Sequence, residues 1–284
     1  MKRFFNILVV VTASVLLCGC YGDTSLTPHD SSIILALPDT RTSLGDLGEN
    51  NKRKIFWSEG DCIALNGETS SSAQIDNENK SEAKFSFANR IEYPYSILYP
   101  AEFYKDATTI TLPKKQLYRA GSFATNTAPM ATFVADNTAT PSLHHLTGII
   151  KLNIRQSKNE KFASHLLHSI IYVQFDGNNK EQLWGDFTID YTSASLTPTE
   201  ATPDNRKVYA MVESDIVEGE ILEVFIVVPA RLYEKGFTVR IMDSDGHFMK
   251  LKKESAFELS PGEIYSMPEV AFEPTFTTIS IEIN

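Results

Sequence analysis

The chain has 284 residues, with 26 Lys+Arg against 36 Asp+Glu, and its formal charge of −10 at neutral pH argues against nucleic acid as a partner, because an acidic surface repels phosphate backbones. Apolar residues make up 42% and charged residues 22%, which suits a buried core and excludes a disordered tail. Its three cysteines, Cys18, Cys20 and Cys62, are too few for a disulfide-stapled scaffold or a Cys-rich zinc module.

Lys2 and Arg3 form a positive n-region, and Ile7 to Leu17 is an apolar run of signal-peptide length. The run is shorter than the ~20 apolar residues a membrane span needs. Leu17-Cys18-Gly19-Cys20 then gives way to polar Tyr21-Gly22-Asp23-Thr24-Ser25. A leucine three residues before a cysteine, with small residues between, resembles the bacterial lipobox. The resemblance implies cleavage between Gly19 and Cys20, with acylation of the Cys20 sulfur and of its new amine. Two or three acyl chains hold a protein stably on a membrane where one does not. Cys18 fits the pattern less well, with Val15 and Leu17 at the corresponding positions. Residues 1–19 therefore read as a lipoprotein signal peptide, and the expected location is the outer membrane, lipid-anchored. Asp23, just after the anchor, resembles the acidic signals that send lipoproteins to the cell surface.

Residues 20–31 are polar, contain Pro28 and read as a tether. Strand signals follow one another from there. Ile33 to Leu37 is a short apolar run stopped by Pro38-Asp39, with Ile33, Leu35 and Leu37 on one face. Lys54 to Trp57 and Cys62 to Leu65 flank the turn-forming Ser58-Glu59-Gly60-Asp61. The polar stretch 66–82 reads as an exposed loop. Lys84 to Phe87 alternates as a half-buried strand does, and Tyr95 to Tyr99 and Thr108 to Leu112 each run into a proline. Residues 136–142 form a polar, proline-bearing break. Beyond it, strands are expected at Gly148 to Ile154, Ser169 to Phe175, Leu222 to Val228, and Phe237 to Met242 paired with Phe248 to Leu251. The last pair flanks Asp243-Ser244-Asp245-Gly246, a hairpin signal. Phe162 to His168 is the one stretch that suggests a helical turn. Strands every 8–15 residues predict an all-β chain of two β-sandwich domains, at 32–138 and 139–284.

Thr40-Arg41-Thr42-Ser43, followed by Phe56-Trp57-Ser58-Glu59-Gly60-Asp61-Cys62-Ile63, resembles the fimbrillin (FimA/Mfa-like) family of Bacteroidia-type lipoproteins. Further pieces match in order: Tyr99-Pro100-Ala101, Gln116 to Pro129-Met130, His144 to Gly148, and Leu259 to Tyr265. The resemblance covers about residues 40–270. It implies two transthyretin-like β-sandwich domains and assembly by β-strand exchange. It also implies protease cleavage between Arg41 and Thr42, loss of the strand bearing Ile33, Leu35 and Leu37, and filling of the vacated groove by a strand from another subunit. Main-chain hydrogen bonds give such β-addition its affinity, and alternate side chains in pockets give its specificity. The C-terminal Thr277 to Asn284 has the same design, with Ile279, Ile281 and Ile283 on one face, so it is the candidate donor. Burying three such side chains stabilises by about 5–8 kcal/mol before entropy is charged. The competing reading is that this segment closes its own domain's sheet.

No residue set supports catalysis: the chain lacks G-x-S-x-G, P-loop, G-x-G-x-x-G and H-E-x-x-H patterns. His144 and His145 are adjacent, so in a strand they point to opposite faces; His165 and His168 share a helical spacing but have no third ligand beside them. Asp243 to Gly246 lacks calcium-loop spacing. Cys62 reads as a small core residue, and Trp57 and Trp184 as core packing rather than carbohydrate platforms. No metal and no cofactor is expected. The reading is a surface lipoprotein of the fimbrillin kind, a pilus subunit or accessory component. Its expected partners are other fimbrial subunits, the outer membrane through the lipid, and host or bacterial surface ligands. The alternative is a monomeric glycan- or ligand-binding outer-membrane lipoprotein. The lipid anchor is checked with a Cys20→Ala variant, which should lose both fatty-acid labelling and retention in the membrane fraction.

Overall fold

The computed structural model describes residues 31–37, 56–75, 80–138, 140–162, 169–199, 202–274 and 278–280. They are nearly all β, as the sequence pattern predicts, and among the described residues there is no α-helix. In chain order the first strands are β1 (Ser32–Ala36), β2 (Ala64–Leu65), β3 (Glu68–Thr69), β4 (Gln74–Ile75), β5 (Glu82–Ser86), β6 (Tyr95–Tyr99), β7 (Tyr104–Asp106), β8 (Thr109–Leu112), β9 (Lys115–Leu117), β10 (Met130–Val134) and β11 (His144–His145). They continue with β12 (Thr147–Gln156), β13 (Ile170–Gly177), β14 (Gly185–Asp190), β15 (Ser195–Pro198), β16 (Lys207–Ser214), β17 (Leu222–Pro229) and β18 (Arg231–Tyr233). The last are β19 (Phe237–Asp243), β20 (Phe248–Lys253), β21 (Phe257–Leu259), β22 (Ile264–Ser266), β23 (Val270–Phe272) and β24 (Thr278–Ser280).

A five-stranded sheet, β11-β10-β6-β2-β3, forms the middle layer of the N-terminal part. Its residues are apolar on both faces: Ile97 and Leu98 are consecutive and both fully buried, as are Met130 and Ala131. One face, with Tyr95, Ile97, Met130 and Val134, packs on Leu35, Ala83 and Phe85 of a three-stranded sheet, β1-β5-β4. The other face, with Ala64, Leu98 and Ala131, packs on Ile110, Leu112, Phe187 and Ile189 of the sheet β15-β14-β8-β7. That outer sheet joins strands from both sides of residue 138, through the ladder Leu112↔Gly185 to Thr109↔Thr188.

Farther along the chain, the sheet β17-β12-β22, with β23 also on β12, faces the six-stranded sheet β24-β20-β19-β13-β16-β9. Ile150, Leu152 and Ile154 of β12 alternate inward and share a core with Val173, Phe175, Val239 and Ile241. The Asp243 to Gly246 hairpin forms as expected. The Asp243 carboxylate accepts the N–H groups of Asp245 (3.0 Å) and His247 (2.8 Å), and Gly246 takes the positive φ of +83° that the turn needs.

Two expectations are corrected. The stretch 66–82 is not an open loop, because it holds β3, β4 and the start of β5. Asn66 and Gly67, at φ +48° and +89°, make a two-residue hairpin between the paired Leu65 and Glu68. Phe56-Trp57 is not part of a strand, whereas Lys54 and Ile55 lie outside the described residues.

The piece 115–118 ties the middle of the chain to the later sandwich. β9 runs parallel to β16, and Gln116, 3% exposed, uses its side-chain amide as a strand would use its backbone. Its Nε2 donates to the Val227 carbonyl (2.7 Å) and its Oε1 accepts the Val227 N–H (2.9 Å), covering the outer edge of β17. Gln116→Ala leaves both backbone groups without these bonds and should cost about 2–6 kcal/mol, at roughly 1–3 kcal/mol per orphaned group. Denaturant unfolding measures the loss, and faster amide exchange at Val227 localises it.

Candidate functional site

The sequence directs attention to β1. The ladder with β5 runs antiparallel from Ser32↔Ser86 to Ala36↔Glu82, and bonds from Phe87 N–H to Ser31 O (2.7 Å) and Leu37 N–H to Ser81 O (2.8 Å) extend it. On its other edge β1 makes one parallel bridge, Ala36 to Ser142. Leu35 and Leu37 are buried and Ile33 is half-buried in the same core, while Ile34 between them is 63% exposed. The alternation read from the sequence thus points Ile33, Leu35 and Leu37 inward. Each fully buried aliphatic side chain of this size contributes about 1.5–3 kcal/mol.

Trp57 grips this strand. Its indole N–H donates to the Leu35 carbonyl (3.2 Å), and its ring meets Phe85 and Tyr99 edge-on at centroid distances of 5.0 and 5.1 Å. The Ser58-Glu59-Gly60-Asp61 turn fixes the tryptophan. Asp61 N–H donates to Ser58 O (3.1 Å), Gly60 takes φ +94°, and the Asp61 carboxylate accepts Ser58 N–H (2.7 Å) and the Tyr99 hydroxyl (3.1 Å). Burial pushes the Asp61 carboxyl above its ordinary range, against the two hydrogen bonds that favour its charged form. Burial, together with the Asp61 charge, also raises Tyr99, which keeps its proton for the bond to Asp61.

The other ends of the exchange scheme are placed less fully. Gly19, Cys20, Arg41, Thr42, Ile281 and Ile283 lie outside the described residues. Ile279 lies in β24, which pairs in parallel with β20 at the edge of the six-stranded sheet, in the register Lys250↔Thr278 to Lys252↔Ser280. β24 and β1 therefore occupy separate sheets of the chain.

The remaining candidates carry no constellation. His144 is exposed and His145 buried, on opposite faces of β11. Of the suggested helical turn at Phe162 to His168, Phe162 lies in a short 3-10 turn, its N–H donating to Asn159 O (2.9 Å), and residues 163–168, with His165 and His168, lie outside the described residues. Cys62 is half-buried, with its Sγ 3.5 Å from the Gly60 carbonyl. Trp184 is half-buried, not core: its N–H donates to Asp204 O (3.0 Å) and Lys114 Nζ sits 4.9 Å from its ring centroid. No part of the sequence pattern signalled the Trp57 to Leu35 bond or the Gln116 bracket, because each joins a side chain to a distant backbone.

No family model matches the chain, and no curated protein matches it. Solved structures do match. One from Bacteroides uniformis, named a "putative cell adhesion protein", is 12% identical, with 86% of this chain and 95% of that chain covered at a TM-score of 0.48. A structure of the same name from Bacteroides ovatus is 12% identical, with 80% and 88% covered at 0.46. Another from Bacteroides fragilis is 9% identical, with 82% and 87% covered at 0.44.

His145 gives this region a pH dependence. Burial, with a smaller push from the neighbouring His144, lowers its pKa from 6.5 to about 4. The folded state therefore binds this proton less readily than the unfolded chain. The stability tied to the neutral ring is complete above pH ~6.5 and is lost as the pH falls toward 4, a difference of about 3 kcal/mol. Unfolding free energies measured between pH 7 and 4 should show that loss, and a His145→Gln variant should lack most of it.

Proposed function

We propose that the chain is a surface-exposed, fimbrillin-like lipoprotein, a pilus subunit or accessory component that assembles by β-strand exchange and supports adhesion. The observation that carries this reading is the standing of β1. It fills the core with two buried leucines, yet among the described residues one neighbouring strand, β5, supplies nearly all of its backbone pairing, supplemented by the bridge to Ser142 and the Trp57 indole bond. A cut after Arg41 separates β1 from the rest of the chain. Its departure uncovers the edge of β5 and the slots of Leu35 and Leu37 beside Trp57 and Phe85.

An incoming strand with apolar residues two apart fills the same slots and restores the same ladder. Ile279, Ile281 and Ile283 have that spacing. As a donor, β24 gives up three paired residues on β20, whereas the ladder of β1 on β5 spans five. The joint so formed rests on backbone pairing and apolar burial, with no covalent link between subunits.

Surface protein from the native host should run as a ladder on unheated gels and collapse to one band on boiling. Arg41→Ala and a chain stopped before Ile279 should each abolish the ladder. A single band in all three cases overturns the proposal and supports a monomeric, ligand-binding lipoprotein.

A further inference from the structure

The outward face of the six-stranded sheet has a pattern of its own. The registers of β9, β16, β13, β19 and β20 align Leu117, Met211, Tyr172, Met242 and Phe248 in one row across five strands. The next row is Lys115, Tyr209, Gln174, Arg240 and Lys250. Of the first row, Leu117 is 76% exposed and the other four are half-buried, so the face meets solvent. At about 4.8 Å per strand the rows are about 19 Å long.

The cations on this face are organised around one ring. The Arg240 guanidinium centre lies 4.0 Å from the Phe248 centroid, and Lys250 Nζ lies 5.3 Å from it. Arg240 Nε is buried without a hydrogen-bond partner. Among the described residues neither Arg240 nor Lys250 is in an ion pair. Lys252 and Lys207, farther along, are matched by Glu254 (2.7 Å) and Asp176 (3.9 Å). Arg240 and Lys250 thus form an unneutralised basic pair, and Lys115 lies three strands beyond Arg240, past the buried Gln174 and half-buried Tyr209, on a chain of net charge −10.

We propose that this face binds an extended, carboxylate-bearing polysaccharide, a polyuronate, with Arg240 and Lys250 as the main anion contacts. Stacking on Phe248 pre-orders the guanidinium, whose planar fork matches a carboxylate. Arg240 and Lys250 stand on β19 and β20, each flanked by a strand on both sides, so at these anion contacts the face offers a peptide no free strand edge to pair with. Its aromatic rings are already occupied, Phe248 by two cations and Tyr172 edge-on by Tyr209 at 5.5 Å, so they are poor platforms for nucleic-acid bases. What remains is a pair of adjacent cations, with Lys115 farther along the same row, suited to an extended chain that carries an anion on each repeat. The acidic remainder of the chain opposes any anion that does not meet this row.

The test is retention of the full, unpolymerised chain on immobilised polygalacturonate, so its outcome is independent of strand exchange. Binding should weaken by about ten-fold or more between about 50 and 300 mM salt. The Arg240→Gln/Lys250→Gln double variant should lose at least about ten-fold in affinity with its melting temperature unchanged. Phe248→Leu, which keeps both cations but removes the ring, should lose less. Failure of the folded wild-type chain to bind overturns the proposal, as does undiminished binding by the double variant. Equal or tighter binding of neutral dextran, polyglutamate or single-stranded DNA overturns it as well.

Discussion

The five-stranded sheet at the centre of the N-terminal part is apolar and covered in the middle of both faces. Ile97 and Leu98 point in opposite directions and are both fully buried, as are Met130 and Ala131. A sheet apolar on both sides must be covered on both sides. One cover is β1-β5-β4 and the other is β15-β14-β8-β7. The second cover needs strands from beyond residue 138, so its demand for apolar partners binds early and late parts of the chain into one ladder. The first cover includes β1, near the start of the described chain. It lays Leu35 and Leu37 into an apolar trough beside Trp57 and Phe85.

The wall of that trough has ties of its own. Trp57 meets Phe85 and Tyr99 edge-on, and the Asp61 carboxylate ties its turn to the Tyr99 hydroxyl. Its bond to β1 goes to the Leu35 carbonyl, a backbone group that any strand presents. The grip is therefore blind to sequence, and discrimination falls to the side-chain slots at alternate positions. A replacement strand needs a period of two and aliphatic bulk, not a particular residue.

The long strands are legible in the sequence because their patterns run over many residues. β19 and β20 alternate throughout and β12 does so from Ile150 onward, whereas β17, buried on both faces, is legible as a continuous apolar run. Ile33, Leu35 and Leu37 are legible on the same ground. Strands of two or three residues, such as β3, β4, β9 and β18, cannot display a period, and polar composition disguises the first two as a loop. Asn66-Gly67 carried the missing signal, a dipeptide that admits positive φ at both positions. The three-layer packing was hidden differently. Consecutive buried residues in β6 and β10 break the alternation, which reads as a weaker strand when it marks a doubly covered one. Composition locates the break at 136–142 but says nothing of which strands pair across it, as β8 with β14 and β9 with β16 do.

The same alternation carries two messages in the last sheet. In phase, Val173, Phe175, Val239, Ile241, Met249 and Leu251 build the core. Out of phase, the same strands present Tyr172, Arg240, Phe248 and Lys250 outward. Assembly through a sheet edge uses backbone groups, whereas recognition on a sheet face uses side chains, so one strand can serve both without conflict. β20 is the strand where they meet: its edge pairs with β24 and its face carries Lys250. β19 holds the other edge of β20 along six residue pairs, from Phe237↔Lys253 to Met242↔Phe248. That ladder seats Lys250 beside Arg240 independently of the pairing at the opposite edge of β20.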